Sequence, residues 1–234
     1  DMPVVGDWVV VAPQDGRITA ILPRRNAFTR KPPGNATEAQ VIAANIDKAF
    51  LVSGLDNDYN PRRIERYLTA AWDSGTAPVI VLNKSDLCPN IREVVAETES
   101  VALGVPIVAV SAEQQTGLDD LRRQIRPQET VVFLGMSGVG KSTLVNALLG
   151  EERLKTQDVR ADDSRGRHTT THRELFVLPD GGLVLDTPGM RELQLWDSGD
   201  GLHRTFEDIE TLAKECRFRD CLHEGEPGCA VQAA

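Results

Sequence analysis

The chain has 234 residues and a formal charge of −9, with 41% hydrophobic, 26% charged and 5% aromatic residues. That length suits one domain of about 150 residues with smaller attachments, and the ordinary apolar and charged content excludes a disordered or fibrous chain. The acidity excludes a protein that coats nucleic acid nonspecifically; no apolar stretch nears the ~20 residues that span a bilayer and no leader-like segment opens the chain, so a cytoplasmic protein without a membrane partner is expected.

In chain order, Val4–Val11, a turn at Pro13-Gln14-Asp15-Gly16 and Ile18–Leu22 read as a β-hairpin. Two or three strands do not make an independent domain. The hairpin is therefore either the later part of a small β-barrel or a β-extension packed on its neighbour. Arg17, Arg24, Arg25, Arg30 and Lys31 against Asp1, Asp7 and Asp15 make this end locally basic. Thr29–Thr37, rich in Pro, Gly and polar residues, reads as a linker.

From Val41 to about Leu185 short aliphatic runs alternate with helical patterns, the signature of a parallel sheet covered on both faces. Strands are predicted at Lys48–Val52, Pro78–Leu82, Val105–Val110, Thr130–Leu134, Leu175–Leu178 and Leu183–Leu185, and helices at Pro61–Trp72, Ile91–Leu103, Leu118–Ile125 and Ser142–Leu149. Pro179-Asp180-Gly181-Gly182 should make its flanking strands an antiparallel hairpin at one edge. After Asp197, the spacing of Leu202, Phe206, Ile209, Leu212 and Ala213 predicts one more amphipathic helix.

Gly135-Met136-Ser137-Gly138-Val139-Gly140-Lys141-Ser142 fits GxxxxGK[ST], directly after an apolar strand and before an apolar helix, as a phosphate loop requires. Its glycines let backbone N–H groups wrap phosphates at the positive end of a helix. Lys141 would reach the β- and γ-phosphates, Ser142 would bind Mg²⁺, and Thr143 completes the nucleotide-binding run. The bland reading is a glycine-rich turn that matches by accident.

Asn83-Lys84-Ser85-Asp86 ends a predicted strand, where ligands bind in open α/β sheets. A carboxylate at Asp86 can accept from the ring N–H and exocyclic amine of guanine, a donor pair that adenine lacks. That selects GTP over ATP. Asn83 would bond the base edge and tie this loop to the phosphate loop, the Lys84 stem would lie along the base, and Ser111-Ala112 would offer backbone N–H to the guanine carbonyl. The tetrapeptide alone is weak; with the phosphate loop and a Ser-Ala at the next strand end it is strong.

Asp186-Thr187-Pro188-Gly189 matches DxxG, with Asp186 for a Mg²⁺-bound water and the Gly189 N–H for the γ-phosphate. Upstream, Arg165-Gly166-Arg167-His168-Thr169-Thr170-Thr171 is a polar loop in which one threonine should complete the Mg²⁺ shell. Adjacent threonines are equivalent by pattern, and Thr170 is the one taken. The position after DxxG, where many GTPases carry a water-orienting glutamine, is Met190, which leaves His168 as the nearest polar candidate for catalysis.

Cys216, Cys221, His223 and Cys229 offer three thiolates and one imidazole within fourteen residues, a set suited to a closed tetrahedral Zn²⁺ site. Incidental buried cysteines or a redox pair are the alternatives. Four protein ligands leave no position for a substrate water, so the role would be structural. Cys88 reads as a small half-buried side chain, and His172 and His203 as structural or solvated histidines.

The base motifs precede the phosphate loop, the reverse of the usual order, as when a sheet is cut at a surface loop and rejoined elsewhere. With Pro3–Val9, Ile21–Arg25, Asn83–Asp86, Gly135–Ser142, Gly166–Thr171, Asp186–Gly189 and the cysteine cluster in this order, the chain resembles the RsgA/YjeQ/YloQ family, the small-ribosomal-subunit-dependent circularly permuted GTPases of bacteria. The resemblance implies an α/β circularly permuted P-loop GTPase domain, mostly parallel with helices on both faces, at 37–200. It implies a partial N-terminal OB-type β-module and linker at 1–36, and a helix with a zinc module at 201–234. It also implies subunit-stimulated hydrolysis of GTP to GDP in late maturation of the small ribosomal subunit, contact with its rRNA, and a catalytic role for His168. A monomer is expected. The rivals are a permuted GTPase acting on another RNA or a membrane, and a nonenzymatic nucleotide-gated module, which the intact Lys141, Ser142 and Asp186 disfavour.

Overall fold

Strand β5 (Lys48–Gly54) carries Ala49 and Leu51 on one face and Phe50 and Val52 on the other, and all four are buried. A strand apolar on both faces must be covered on both. In the computed structural model, which describes residues 2–30, 40–56, 58–154, 174–186, 216 and 228–233, β5 lies inside a six-stranded sheet between two hydrophobic cores.

The elements before β5 are strands β1 (Val9–Val11), β2 (Ile18–Ile21), β3 (Ala27–Arg30) and β4 (Gln40–Ala44). After it come helix α1 (Pro61–Asp73), β6 (Ala77–Asn83), α2 (Ile91–Val101), β7 (Ile107–Ala109), α3 (Leu118–Arg123), β8 (Thr130–Leu134), α4 (Lys141–Leu149), β9 (Glu174–Val177), β10 (Leu183–Asp186) and the short α5 (Ala230–Ala233). The sheet order is β7-β6-β5-β8-β10-β9. All neighbours run parallel except β9 and β10, whose antiparallel pairing closes through the predicted turn with Leu178 N–H donating to Gly182 O at 2.8 Å.

Alternation along the strands sorts the cores. Phe50, Val52, Val79, Val81, Val131 and Phe133 face α3 and α4, while Ala49, Leu51, Ile80, Leu82, Val132 and Leu134 face α1 and α2. At the seam between β5 and β8 the paired Phe50 and Phe133 rings meet edge to face, centroids 5.1 Å apart, a geometry that adds to their burial. Helix α1 starts where Asn60 accepts from Arg63 N–H at 3.2 Å and proline occupies the first turn, both standard start signals.

The predicted linker begins two residues too early for the structure: Thr29 and Arg30 belong to β3, which pairs antiparallel with β4. Gln40–Ala44, where no strand is predicted, is itself a strand. Phe28 on β3 is 2% exposed and packs with Ile42, Ile46 and α1, so this hairpin belongs to the α1-side core. The remaining linker residues, 31–39, lie outside the described residues.

Polar groups fasten the N-terminal hairpin to this core. Asn45, in the left-handed region at φ 56°, donates to Gly6 O at 2.8 Å and accepts from Arg25 N–H at 2.9 Å. Asn26 brackets Ile46, accepting from its N–H and donating to its carbonyl. Arg24 grips Asp7 through two bonds of 2.8 and 2.9 Å, with the Asp7 side chain 1% exposed.

The Arg24 guanidinium, helped by the Val4 N–H, holds the Asp7 carboxyl below its ordinary range against the opposing effect of burial. A carboxyl lowered in the folded state contributes stability that is complete above its unfolded pKa and lost as pH falls through the folded one. Asp7→Asn should therefore cost about 1–3 kcal/mol at neutral pH. Urea unfolding at pH 7 and pH 3 checks this: the gap between parent and variant should narrow in acid, where the parent loses its charge.

Candidate nucleotide site

β5, β6 and β7 step outward to one side of the sheet, while β8 and then β10 step to the other. The crevice where the order reverses, at the carboxyl ends of β5 and β8, is where open α/β sheets bind ligands. The phosphate loop leaves β8 at this point, Asn83 ends β6 on the far side of β5, and the backbone of Asp186 ends β10, the next strand beyond β8.

Close packing shapes the loop. Gly135 (φ 152°) lies so near β5 that a Cβ would sit 2.4 Å from Val52 O, and at Gly140 (φ 92°) a Cβ would sit 2.3 Å from Asn83 Nδ2. Any side chain at either place would push the loop off its supports. Gly140 also heads α4 without a side-chain cap, which leaves the first helical N–H groups to an anion. Met136, Ser137 and Gly138 are exposed at the rim, and Gly140, Lys141, Ser142 and Thr143 are half-buried. Lys141 arches back over the loop, donating to Gly135 O at 2.8 Å and Met136 O at 2.5 Å.

Asn83, 2% exposed, joins three segments: its Nδ2 donates to Val139 O at 2.8 Å, and its Oδ1 accepts from Ala112 N–H at 3.1 Å. The expected tie between base motif and phosphate loop is therefore present. The strand-end amides, expected to serve the base, have partners within the protein: Ala112 gives its N–H to Asn83, and Ser111 gives its own to Thr116 O at 3.0 Å. Asp86 is exposed in a short 3-10 turn, Ser85–Leu87, that follows Lys84 in the left-handed region.

Asp56, just past β5, forms an ion pair with Lys84. Sequence reading gave it no role, since a lone aspartate after a strand carries no motif. Asn146 on α4 was likewise missed. It donates to Leu154 O at 2.8 Å and accepts from the N–H groups of Arg153 and Leu154, fixing the chain where it leaves α4.

His168, Thr170, Gly189, Cys221, His223 and the Asp186 side chain lie outside the described residues. Of the proposed zinc ligands, Cys216 and Cys229 come together with Sγ atoms 4.0 Å apart, and Ala230 N–H donates to Cys216 Sγ at 3.3 Å. Two thiolates on one tetrahedral zinc, each about 2.3 Å from it, lie roughly 3.8 Å apart, so this pair fits. Among the described residues no three His, Cys, Asp or Glu side chains are gathered for a metal.

A phosphate loop at the reversal point, bound through a buried asparagine to an Asn-Lys-x-Asp strand end that precedes it in the chain, defines a circularly permuted P-loop GTPase. The family model described as RsgA GTPase matches residues 21–196. The small ribosomal subunit biogenesis GTPase RsgA 1 of Oceanobacillus iheyensis is 50% identical over 239 residues, spanning 100% of this chain and 68% of that protein. The RsgA of Xylella fastidiosa is 54% identical across 99% of this chain and 67% of its own length. Among solved structures, YjeQ from Thermotoga maritima superposes with a TM-score of 0.73 at 30% identity, over 99% of this chain and 77% of that one. The circularly permuted GTPase YloQ gives 0.68 at 27% identity, over 100% and 74%. The chain belongs to the RsgA GTPase family and is a GTP hydrolase, an activity that uses Mg²⁺ with GTP.

Removing the carboxamide at Asn83 strands a buried carbonyl and a buried N–H. Asn83→Ala should lower stability by about 2 kcal/mol and weaken GTP binding at least tenfold, because both loops lose their common support. Thermal melts and titration calorimetry check the two effects separately.

Proposed function

We propose that the protein binds the small ribosomal subunit and assists its late maturation, hydrolysing GTP with subunit-stimulated turnover. The observation that carries the reading is the Asn83 bridge, which unites a guanine-type strand end with the phosphate loop in permuted order. The ribosomal target rests on relatives named for small-subunit biogenesis that share half of all positions across the whole chain. GTP turnover with and without purified small subunits tests it: acceleration supports the proposal, and an unchanged rate counts against it.

In this reading Asp86 selects guanine, Ser142, Thr170 and Asp186 hold Mg²⁺, and Gly189 senses the γ-phosphate. The β1–β2 hairpin is the later part of an OB-type module that, with its exposed Trp8 and basic residues, contacts rRNA. The protein acts in the cytoplasm as a monomer; among the described residues no helix is long and apolar enough to cross a membrane.

His168 takes the role that Met190 cannot fill, orienting the attacking water. His168→Ala should cut the stimulated rate by ~10²-fold while GTP affinity changes little, the range for a lost acid–base or water-positioning group. Single-turnover hydrolysis on small subunits measures this.

Cys216, Cys221, His223 and Cys229 would hold one structural Zn²⁺. The Cys216–Cys229 approach and the N–H donor to Cys216 support it, since thiolate ligands accept such bonds. Metal analysis should find one zinc per chain. Cys221→Ser should lower that content and the melting temperature together.

A further inference from the structure

Lys84 is held in a backbone conformation that side-chain-bearing residues avoid, φ 61° and ψ 38°, and such a residue needs neighbours that keep it there. Three backbone bonds do part of this: Leu55 N–H to Asn83 O at 2.8 Å, Ser85 N–H to Val110 O at 3.1 Å, and Leu87 N–H to Lys84 O at 3.0 Å. The fourth support is a side chain. Lys84 Nζ donates to Asp56 Oδ2, and the two side chains are only 21% and 31% exposed. Asp56 is oriented in turn, its Oδ1 accepting from Asp58 N–H at 3.3 Å.

The end of β5 leaves room for this pair. At Gly54 a Cβ would sit 2.8 Å from Asp56 Oδ1 and 3.7 Å from Lys84 Cδ. A methyl group there would have to move the end of the Asp56 side chain, and so the carboxylate that anchors the lysine. The glycine supplies space between the anchor and the lysine stem.

We propose that Asp56 is a positioning residue for guanine recognition: by anchoring the Lys84 ammonium it fixes the four-carbon stem as the apolar ledge on which the base lies. The inference rests on the reading of Asn83–Asp86 as the guanine pocket. A lysine without an anchor samples several rotamers, and ordering them at each binding event weakens affinity. Asp56 does this ordering before the nucleotide arrives.

A double-mutant cycle read by calorimetry with GDP tests the proposal. Asp56→Ala should raise the Kd about tenfold in the parent, but less than twofold in a Lys84→Ala background, because the effect passes through the lysine. Gly54→Ala, which keeps both side chains but fills the space between them, should also weaken binding. Should Asp56→Ala fail to fold, the isosteric Asp56→Asn is expected to raise Kd at least threefold, since a charge-assisted bond is lost. Unchanged affinity in Asp56→Ala or in folded Asp56→Asn, alongside weakened binding in Lys84→Ala and Asp86→Asn, overturns the role of Asp56 and leaves the pocket intact. An equal loss in both lysine backgrounds also overturns it, since Asp56 would then act on the fold of the loop. Unchanged GDP binding in Lys84→Ala and Asp86→Asn removes the guanine reading itself, and this inference with it.

Discussion

The site depends on one buried carboxamide. Asn83 stands at the end of β6 and bonds at once to the phosphate loop, through Val139 O, and to the next strand end, through Ala112 N–H. Neither bond would be strong in water, but inside a protein an unmet partner costs more than the bond itself contributes. The arrangement is therefore close to all-or-none: base loop, phosphate loop and strand end stay in place together. Gly140 extends this constraint, because only a residue without a side chain lets the phosphate loop approach the carboxamide so closely.

Around that point the sheet performs a task that chain order alone would not suggest. The strand that ends in Asn-Lys-x-Asp comes before the strand that leads into the phosphate loop, yet the fold sets β5 and β8 side by side in register, Phe50 against Phe133. Spatial order, and not sequence order, sets where the crevice falls. Reordering the chain leaves that crevice as it is, provided each strand keeps its neighbours. The opposite end of the same seam is closed by Lys48 bonded to Glu129 at 2.7 Å and by Asp47 accepting from Thr130 N–H at 2.8 Å. Burial pushes the Glu129 carboxyl up, but the lysine, the Arg126 N–H and both positive charges outweigh it and hold the group below the ordinary carboxylate range.

Much of this was legible because the signals were strong and local. Runs such as Ala77–Leu82 have no polar residue to place on a solvent face, and Gly135–Ser142 combines a rare pattern with the right flanks. What escaped was long-range or weak in composition. β3 and β4 flank a segment rich in Pro and Gly, so Thr29 and Arg30 read as linker although their pairing with Gln40 and Val41 makes them strand. Asp56 and Asn146 carry no motif; their roles come from what the fold brings beside them. The commitment of the Ala112 amide to Asn83 could not be read either, because a strand-end N–H looks the same in sequence whatever accepts it.

The seam between β5 and β8 also bears on how the chain reaches this state. β5 ends at Gly54 and its central partner β8 begins at Thr130, so the middle of the sheet forms only after a long loop has closed. During synthesis from the amino terminus, β5 and β6 are complete while β8 has yet to be made. For that interval β5 presents a bare, apolar, hydrogen-bonding edge, the kind of surface that recruits other strands and promotes aggregation. The strand that leads into the phosphate loop is the one that covers this edge, so the centre of the sheet closes only when β8 arrives.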